Sequence, residues 1–185
     1  DNHSACAVIE DDHDNIVETW FDAKILTSSH KAEGSDSPDQ KTTLDYNLTV
    51  REILDFATTV AYEDIEFILE SRTLNLALAH EGLKGCYGLK VGYAINLEDN
   101  KEVFGGDFLS YAMSLTAAAS DARMAGCTLA AMSNSGSGNQ GITVTMPVIA
   151  YSIKYGTNDE RLARALVLSH LIAIHIKGYL GKLSA

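Results

Sequence analysis

The chain is short of three things, and each shortage closes off a class of protein. Cysteine is scarce: Cys6, Cys86 and Cys127 are an odd count at wide spacings with no CxxC pair. Neither a disulfide framework nor a zinc site is signalled, and a reducing cytoplasm is the expected setting. Cations are scarce too, with 14 Lys and Arg against 25 Asp and Glu and a formal net charge of −11. Such a surface repels phosphate backbones, so nucleic acid is not an expected partner. Finally, no apolar run reaches the ~18 residues that would span a membrane. A signal peptide and an initiator Met are also missing, so a fragment or processed chain is expected rather than a whole polypeptide.

What is present is ordinary globular material. Of the 185 residues 46% are hydrophobic and 21% charged, enough for one sizeable core or a core with a small satellite. "ACAVIE" and "NIVETWF" are β-prone runs flanking "DDHDN", which predicts a hairpin with a solvated turn at Asp11, Asp12, His13 and Asp14. From Thr27 to Tyr46 the chain reads as a polar loop. Thr49 and Glu52 have capping-box spacing and open a helix. A second helix is expected from Tyr62 to Gly82, with Ile65, Ile68, Leu69 and Leu76 as its apolar stripe. "CYGLKVGYAINLE" fits strand and helix equally. Asp107 should cap a helix carrying "FLSYAMSLTAAASDARMAGCTLAAM". "ITVTMPVIAYSIKYG" reads as an apolar helix that starts late or kinks at Pro147. Thr157 and Glu160 suggest a capping box for a last helix. The expected fold is α+β and predominantly α-helical. Residues 1–46 form a β-hairpin element plus polar loop, and residues 47–185 a helical body of small-residue-rich helices.

Few residues on these elements point to chemistry. His170 and His175 are five apart on the last helix, roughly 140° around its axis, so they cannot share a metal as an i, i+4 pair could. They read as buried or partner-facing side chains, and His80 as a helix C-terminal residue. No spacing names a metal site, and no residue stands out as the catalytic base. Asp121 and Arg123 sit among small residues in "AAASDARMAG" and are either structurally paired or aimed at a cavity.

The segment "MSNSGSGNQGI" at positions 132 to 142 is different. Gly136, Gly138 and Gly141 permit close backbone approach. Ser133, Asn134, Ser135, Ser137, Asn139 and Gln140 supply side-chain donors, and the helix that follows supplies the positive end of its dipole. A carboxylate or phosphate would fit there, although the GK[ST] ending of a Walker loop is missing. Residue types alone leave a ligand cradle and a structural loop both open.

"SDARMAGCTLAAMSNSGSGNQGITVTMPV" closely resembles the signature segment of the family grouped with the serine dehydratase alpha chain, which includes the iron–sulfur L-cysteine desulfidases. "EFILESRTLNLALAHEGL", "NDERLARALVLSHLIAIHIK" and the N-terminal "HSACAVIE" extend the resemblance, placing His3 at the family's strand histidine. The resemblance implies a lyase that eliminates water or hydrosulfide from a small amino acid to give pyruvate and ammonia. It implies a four-iron, four-sulfur cluster whose open iron acts as a Lewis acid. Residues 133–140, with Asp121 and Arg123, would then bind the substrate. The family's cluster cysteines follow the point where this chain stops, and a further cysteine implicated in catalysis precedes Asp1. None of Cys6, Cys86 or Cys127 matches them, so no cluster is expected in this chain, which resembles the central part of a protein more than twice as long. The contrasting expectation is a non-catalytic amino-acid-binding or scaffold module. The apolar "ALVLSHLIAI" of the last helix adds the expectation of self-association, possible as a homo-oligomer.

Overall fold

A computed structural model describes residues 3–9, 16–28 and 48–180. The chain divides into two compact units, one up to Leu44 and one from Asp45 onward. The first holds a three-stranded antiparallel sheet, β1 (Ala5–Ile9), β2 (Ile16–Phe21) and β3 (Lys24–Ser28), in the order β1-β2-β3. The third strand was not expected. It pairs back on β2 through Asp22 and Ala23, at φ 48° and 62°. Both values are positive, as in the two-residue turns whose twist matches a hairpin. With alanine in place of the usual glycine, the sequence did not advertise it. Asp22 also accepts from the Ser4 N–H (2.8 Å) and faces His3 Nδ1 at 2.6 Å, which together hold its carboxyl below the usual range. The "DDHDN" turn and most of the expected polar loop lie outside the described residues.

The second unit is helical. α1 (Val50–Thr59) opens with the expected capping box: Glu52 N–H donates to Thr49 Oγ1, and Glu52 Oε2 accepts from Thr49 N–H. The run from Tyr62 to Gly82 is helical throughout but tightens in its middle. α2 (Tyr62–Ile65) passes through a 3₁₀ turn (Glu66–Leu69) into α3 (Glu70–Gly82). The ambiguous segment resolves as a helix, α4 (Val91–Asn96), followed by a 3₁₀ turn and the short α5 (Lys101–Phe104).

α6 (Phe108–Met124) is the centre of this unit, capped as expected by Asp107, which accepts from Ser110 N–H. Its Ala112, Leu115, Ala118, Ala119 and Ala122 are buried, and the small alanines let α3 and α4 come very close. A Cβ on Gly82 would lie 1.9 Å from Ala118 O, and one on Gly92 2.2 Å from Ala118 N. α6 stops at Met124, eight residues short of the expected end at Met132. Gly126 turns left-handed at φ 85°, Cys127 N–H bonds Ala122 O, and Gly126 N–H bonds Arg123 O. That is a Schellman stop, placed by one glycine inside an otherwise helix-prone run.

α7 (Gly138–Tyr155) contains Pro147 without breaking. The proline removes one helix N–H and crowds the preceding turn. There Ser169 Oγ, from the last helix, donates to Val144 O at 2.6 Å. α8 (Asp159–Leu180) is capped by Asn158, which accepts from Arg161 N–H, and not by the expected Thr157–Glu160 box. Thr157 turns back to Ser152 Oγ, while Glu160 pairs with Arg164, whose Nη1 also donates to Ala57 O and Val60 O at the end of α1. Ile176 and Tyr179 near the end of α8 are exposed.

Glycine geometry gives a direct test of this packing. Gly82→Ala should destabilise the protein by about 1–3 kcal/mol, the usual scale of overpacking. Gly178→Ala, where a Cβ meets nothing within 4 Å on helix α8, should stabilise it by about 0.5–1 kcal/mol. Urea unfolding of both variants checks the pair, and equal effects would contradict the close approach.

Candidate functional site

The Gly/Ser/Asn segment joins α6 to α7, and both helices pack on one core. It is therefore no linker between domains. Its approach is fixed by a fully buried asparagine on α3: Met132 N–H donates to Asn75 Oδ1 at 3.0 Å, and Asn75 Nδ2 donates to Thr145 Oγ1 at 2.7 Å. Gly141 lets the chain lie flat on α7, since a Cβ there would stand 1.9 Å from Met132 O. Asn134 and Ser137 then exchange two backbone hydrogen bonds of 3.0 Å around Ser135 (φ 49°) and Gly136 (φ 82°). The result is a tight two-residue turn with both central residues left-handed.

α7 begins sooner than expected. Ser137 is its N-cap, accepting from Gln140 N–H, so Gly138, Asn139 and Gln140 form its first turn and only residues 133–137 are loop. First-turn amides have no carbonyl partner within their helix. With Gln140 N–H taken by the cap, Gly138 N–H and Asn139 N–H are left to face whatever sits at the helix end. Ser133, Ser135 and Gly136 are exposed, while Asn134, Ser137 and Gly138 are buried.

Two residues of α8 hold the turn down. Lys177 Nζ donates to Ser135 O at 2.7 Å. Asn134 Nδ2 reaches His170 twice, at Nδ1 (2.9 Å) and at the carbonyl O (3.2 Å). Asn134 Oδ1 accepts from Ser135 Oγ and Gln140 Nε2. Asn134 is thus a structural hub rather than a free donor. His170 was readable as a buried histidine, but no spacing connects position 170 to position 134.

Arg123, near the end of α6, lies across the first turn of α7. Its Nη1 donates to Asn139 Oδ1 at 3.1 Å, and a Cβ on Gly138 would stand 2.3 Å from its Nε. Among the described residues no carboxylate pairs with it. A half-buried guanidinium and a helix N-terminus, both positive, converge here. Asp121 was grouped with this loop and the structure does not bring it there. Its Oδ2 accepts from Gly92 N–H at 3.1 Å, at the start of α4. The donor set expected to converge also splits: Ser137 Oγ caps the helix and Ser135 Oγ bonds Asn134. Asn139 turns to Arg123 and Met124.

A profile described as the serine dehydratase alpha chain matches residues 9–185. The chain belongs to that family. Its relatives include a UPF0597 protein of Aeromonas hydrophila, 46% identical over 100% of this chain and 42% of its own length. Another, from Oleidesulfovibrio alaskensis, is 48% identical over 99% of this chain and 42% of its own. The UPF0597 protein YhaM of Escherichia coli is 44% identical over 98% and 42%. This chain thus spans well under half the length of these relatives, whose names state no activity. No solved structure gives a significant match.

Cys6 and Cys86 are exposed and Cys127 is half-buried. Among the described residues no three His, Cys, Asp or Glu side chains are grouped to hold a metal. Cys127 lies beside Tyr87, whose hydroxyl donates to Glu81 at 3.1 Å. That bond, with Cys127 adding to it, pushes the phenol up to about 12. A cleft of about 370 Å³ lies elsewhere, among Asn96, Lys101, Asp107, Ser110, Tyr111 and Lys154. No helix among the described residues is long and apolar enough to cross a membrane.

Burial lowers the His170 pKa below its usual 6.5. Its folded form stays neutral while the unfolded chain takes up a proton, so its contribution is complete above about pH 6.5 and is lost as pH falls toward the folded value. Urea midpoints at pH 5 and pH 7.5 should therefore fall further in the wild type than in His170→Asn. Equal losses would contradict the assigned state.

Proposed function

We propose that the backbone amides of Ser135, Gly136, Gly138 and Asn139, with Arg123, bind the carboxylate of a small β-substituted amino acid, serine or cysteine, as the substrate-cradling part of a lyase. The observation that carries this reading is Arg123: a guanidinium with no carboxylate partner among the described residues, laid over a position where only a missing side chain leaves room for it. A carboxylate there would accept from Arg123 and from the amides of Gly138 and Asn139. These are charge-assisted hydrogen bonds, worth about 1.5–3 kcal/mol each. The Ser135 and Gly136 amides on the exposed turn would close the other side, much as backbone nests hold anions.

Fixing the carboxylate sets where the Cα–H and the β-substituent point, which is what this chain contributes to elimination. In the reaction the family resemblance implies, the substrate loses its α-proton and its β-hydroxide or hydrosulfide, leaving 2-aminoacrylate, which hydrolyses to pyruvate and ammonia. The iron–sulfur cluster of that chemistry does not fit the cysteines described above. On our reading it belongs to cysteines of a longer protein, and this chain alone carries the binding function without turnover.

Gly138→Ala isolates the claim, because the added methyl meets the flexible Arg123 side chain and not backbone. Serine titrated into ¹⁵N-labelled chain should move the amide signals of Ser135, Gly136, Gly138 and Asn139. In the variant its Kd should weaken at least ~10-fold, the loss of one such hydrogen bond, with thermal stability nearly unchanged. Unaltered affinity in a folded variant would remove the loop from the substrate site. Serine binding with no pyruvate from the full-length protein would favour a non-catalytic binding module.

A further inference from the structure

We infer that His170 is the positioning residue of the cradle: as the neutral Nε2–H tautomer it accepts the Asn134 amide at Nδ1 and so fixes the Ser135–Gly136 turn. This rests on the cradle reading for its functional meaning, while its geometry stands independently.

The chain of reasoning begins with the Asn134 side chain, which has no freedom to flip. One end touches the His170 carbonyl, a pure acceptor, so that end is the NH₂. The other end accepts from Ser135 Oγ and Gln140 Nε2. The same NH₂ meets His170 Nδ1, which must then be bare and accepting. Of the three states of an imidazole, only the Nε2–H tautomer meets that demand. The Nδ1–H tautomer and the imidazolium would both set donor against donor. Burial of the ring further disfavours the charged form.

His170 Nε2 is buried and has no partner among the described residues. An unpaired buried donor is an expensive feature, rare in native interiors, and an apolar side chain of similar volume would avoid it. The ring is kept for what its other nitrogen does. That nitrogen holds Asn134, and Asn134 holds both halves of the cradle, the turn through Ser135 and the first turn of α7 through Gln140. The turn needs holding, because Ser135 sits left-handed at φ 49°, a conformation that disfavours residues other than glycine. Lys177 lies seven residues beyond His170, on the same face of α8, and fixes the Ser135 carbonyl from the other side.

The test has two independent readings on the 185-residue chain. ¹⁵N correlation spectra of the wild-type imidazoles at neutral pH should show His170 as the Nε2–H tautomer. A Nδ1–H or imidazolium signature overturns the inference whatever the variants do. His170→Asn places an amide oxygen where Nδ1 stood and should keep the Ser135 and Gly136 amide shifts. His170→Gln places its polar end at Nε2 instead and should move those signals toward random-coil values, with at least a 10-fold loss of L-serine affinity. Unchanged turn signals in both variants, or collapse in both with the fold retained, would also overturn it. If neither variant folds, the wild-type tautomer decides alone. Because the tautomer and turn readings need no ligand, their failure is distinguishable from failure of L-serine to bind at all.

Discussion

Close backbone approach at a few glycines is the constraint on which the helical unit depends. Gly82 and Gly92 bring α3 and α4 onto the same alanine of α6, Ala118, at distances no side chain would allow. Asp121, one turn further along α6, then meets Gly92 N–H, and Arg123 emerges beyond it. At the next junction Gly141 lets the chain after Met132 lie on α7, and Gly138 leaves the space that Arg123 fills. Missing side chains thus let backbone meet backbone in the core at Gly82, Gly92 and Gly141, and leave room at Gly138 for the guanidinium at a helix N-terminus.

The polar contacts around the loop divide into those that hold it and those left over. Asn75, Asn134, Ser137 and Lys177 spend their side-chain hydrogen bonds on the protein itself, as does His170 through Nδ1. Among the described residues Arg123 reaches an amide oxygen and a thioether, and the first-turn amides of α7 have no helical partner. Buried polar groups are normally satisfied. The Arg123 guanidinium and the first-turn amides of α7 present positive charge together at this helix end, and that is the physical content of the cradle.

Much of this was legible in the sequence because it is local. Thr49 with Glu52 and Asp107 before Phe108 are each written within a few residues, and the family signature at 120–148 in one continuous segment. The misses were of two kinds. Some were competitions between local signals: Gly126 ending α6 inside a helix-prone run, Asn158 outdoing Thr157 as a cap, and an Asp-Ala turn making a third strand without glycine. The others were long-range, with Asn75 to Met132, Asn134 to His170 and Lys177 to Ser135 spanning 57, 36 and 42 residues. Asp121 illustrates the second kind from the opposite side. Its proximity to Arg123 in sequence suggested a shared site, yet two residues along a helix turn side chains ~200° apart.

The most direct measurement of the central claim is a crystal structure of the protein with L-serine. The account predicts the serine carboxylate at about 2.7–3.1 Å from the Arg123 guanidinium and the first-turn amides of α7, the range of such contacts. A carboxylate held instead by Lys101 or Lys154 in the cleft beside Asp107, with Arg123 unoccupied, would contradict it.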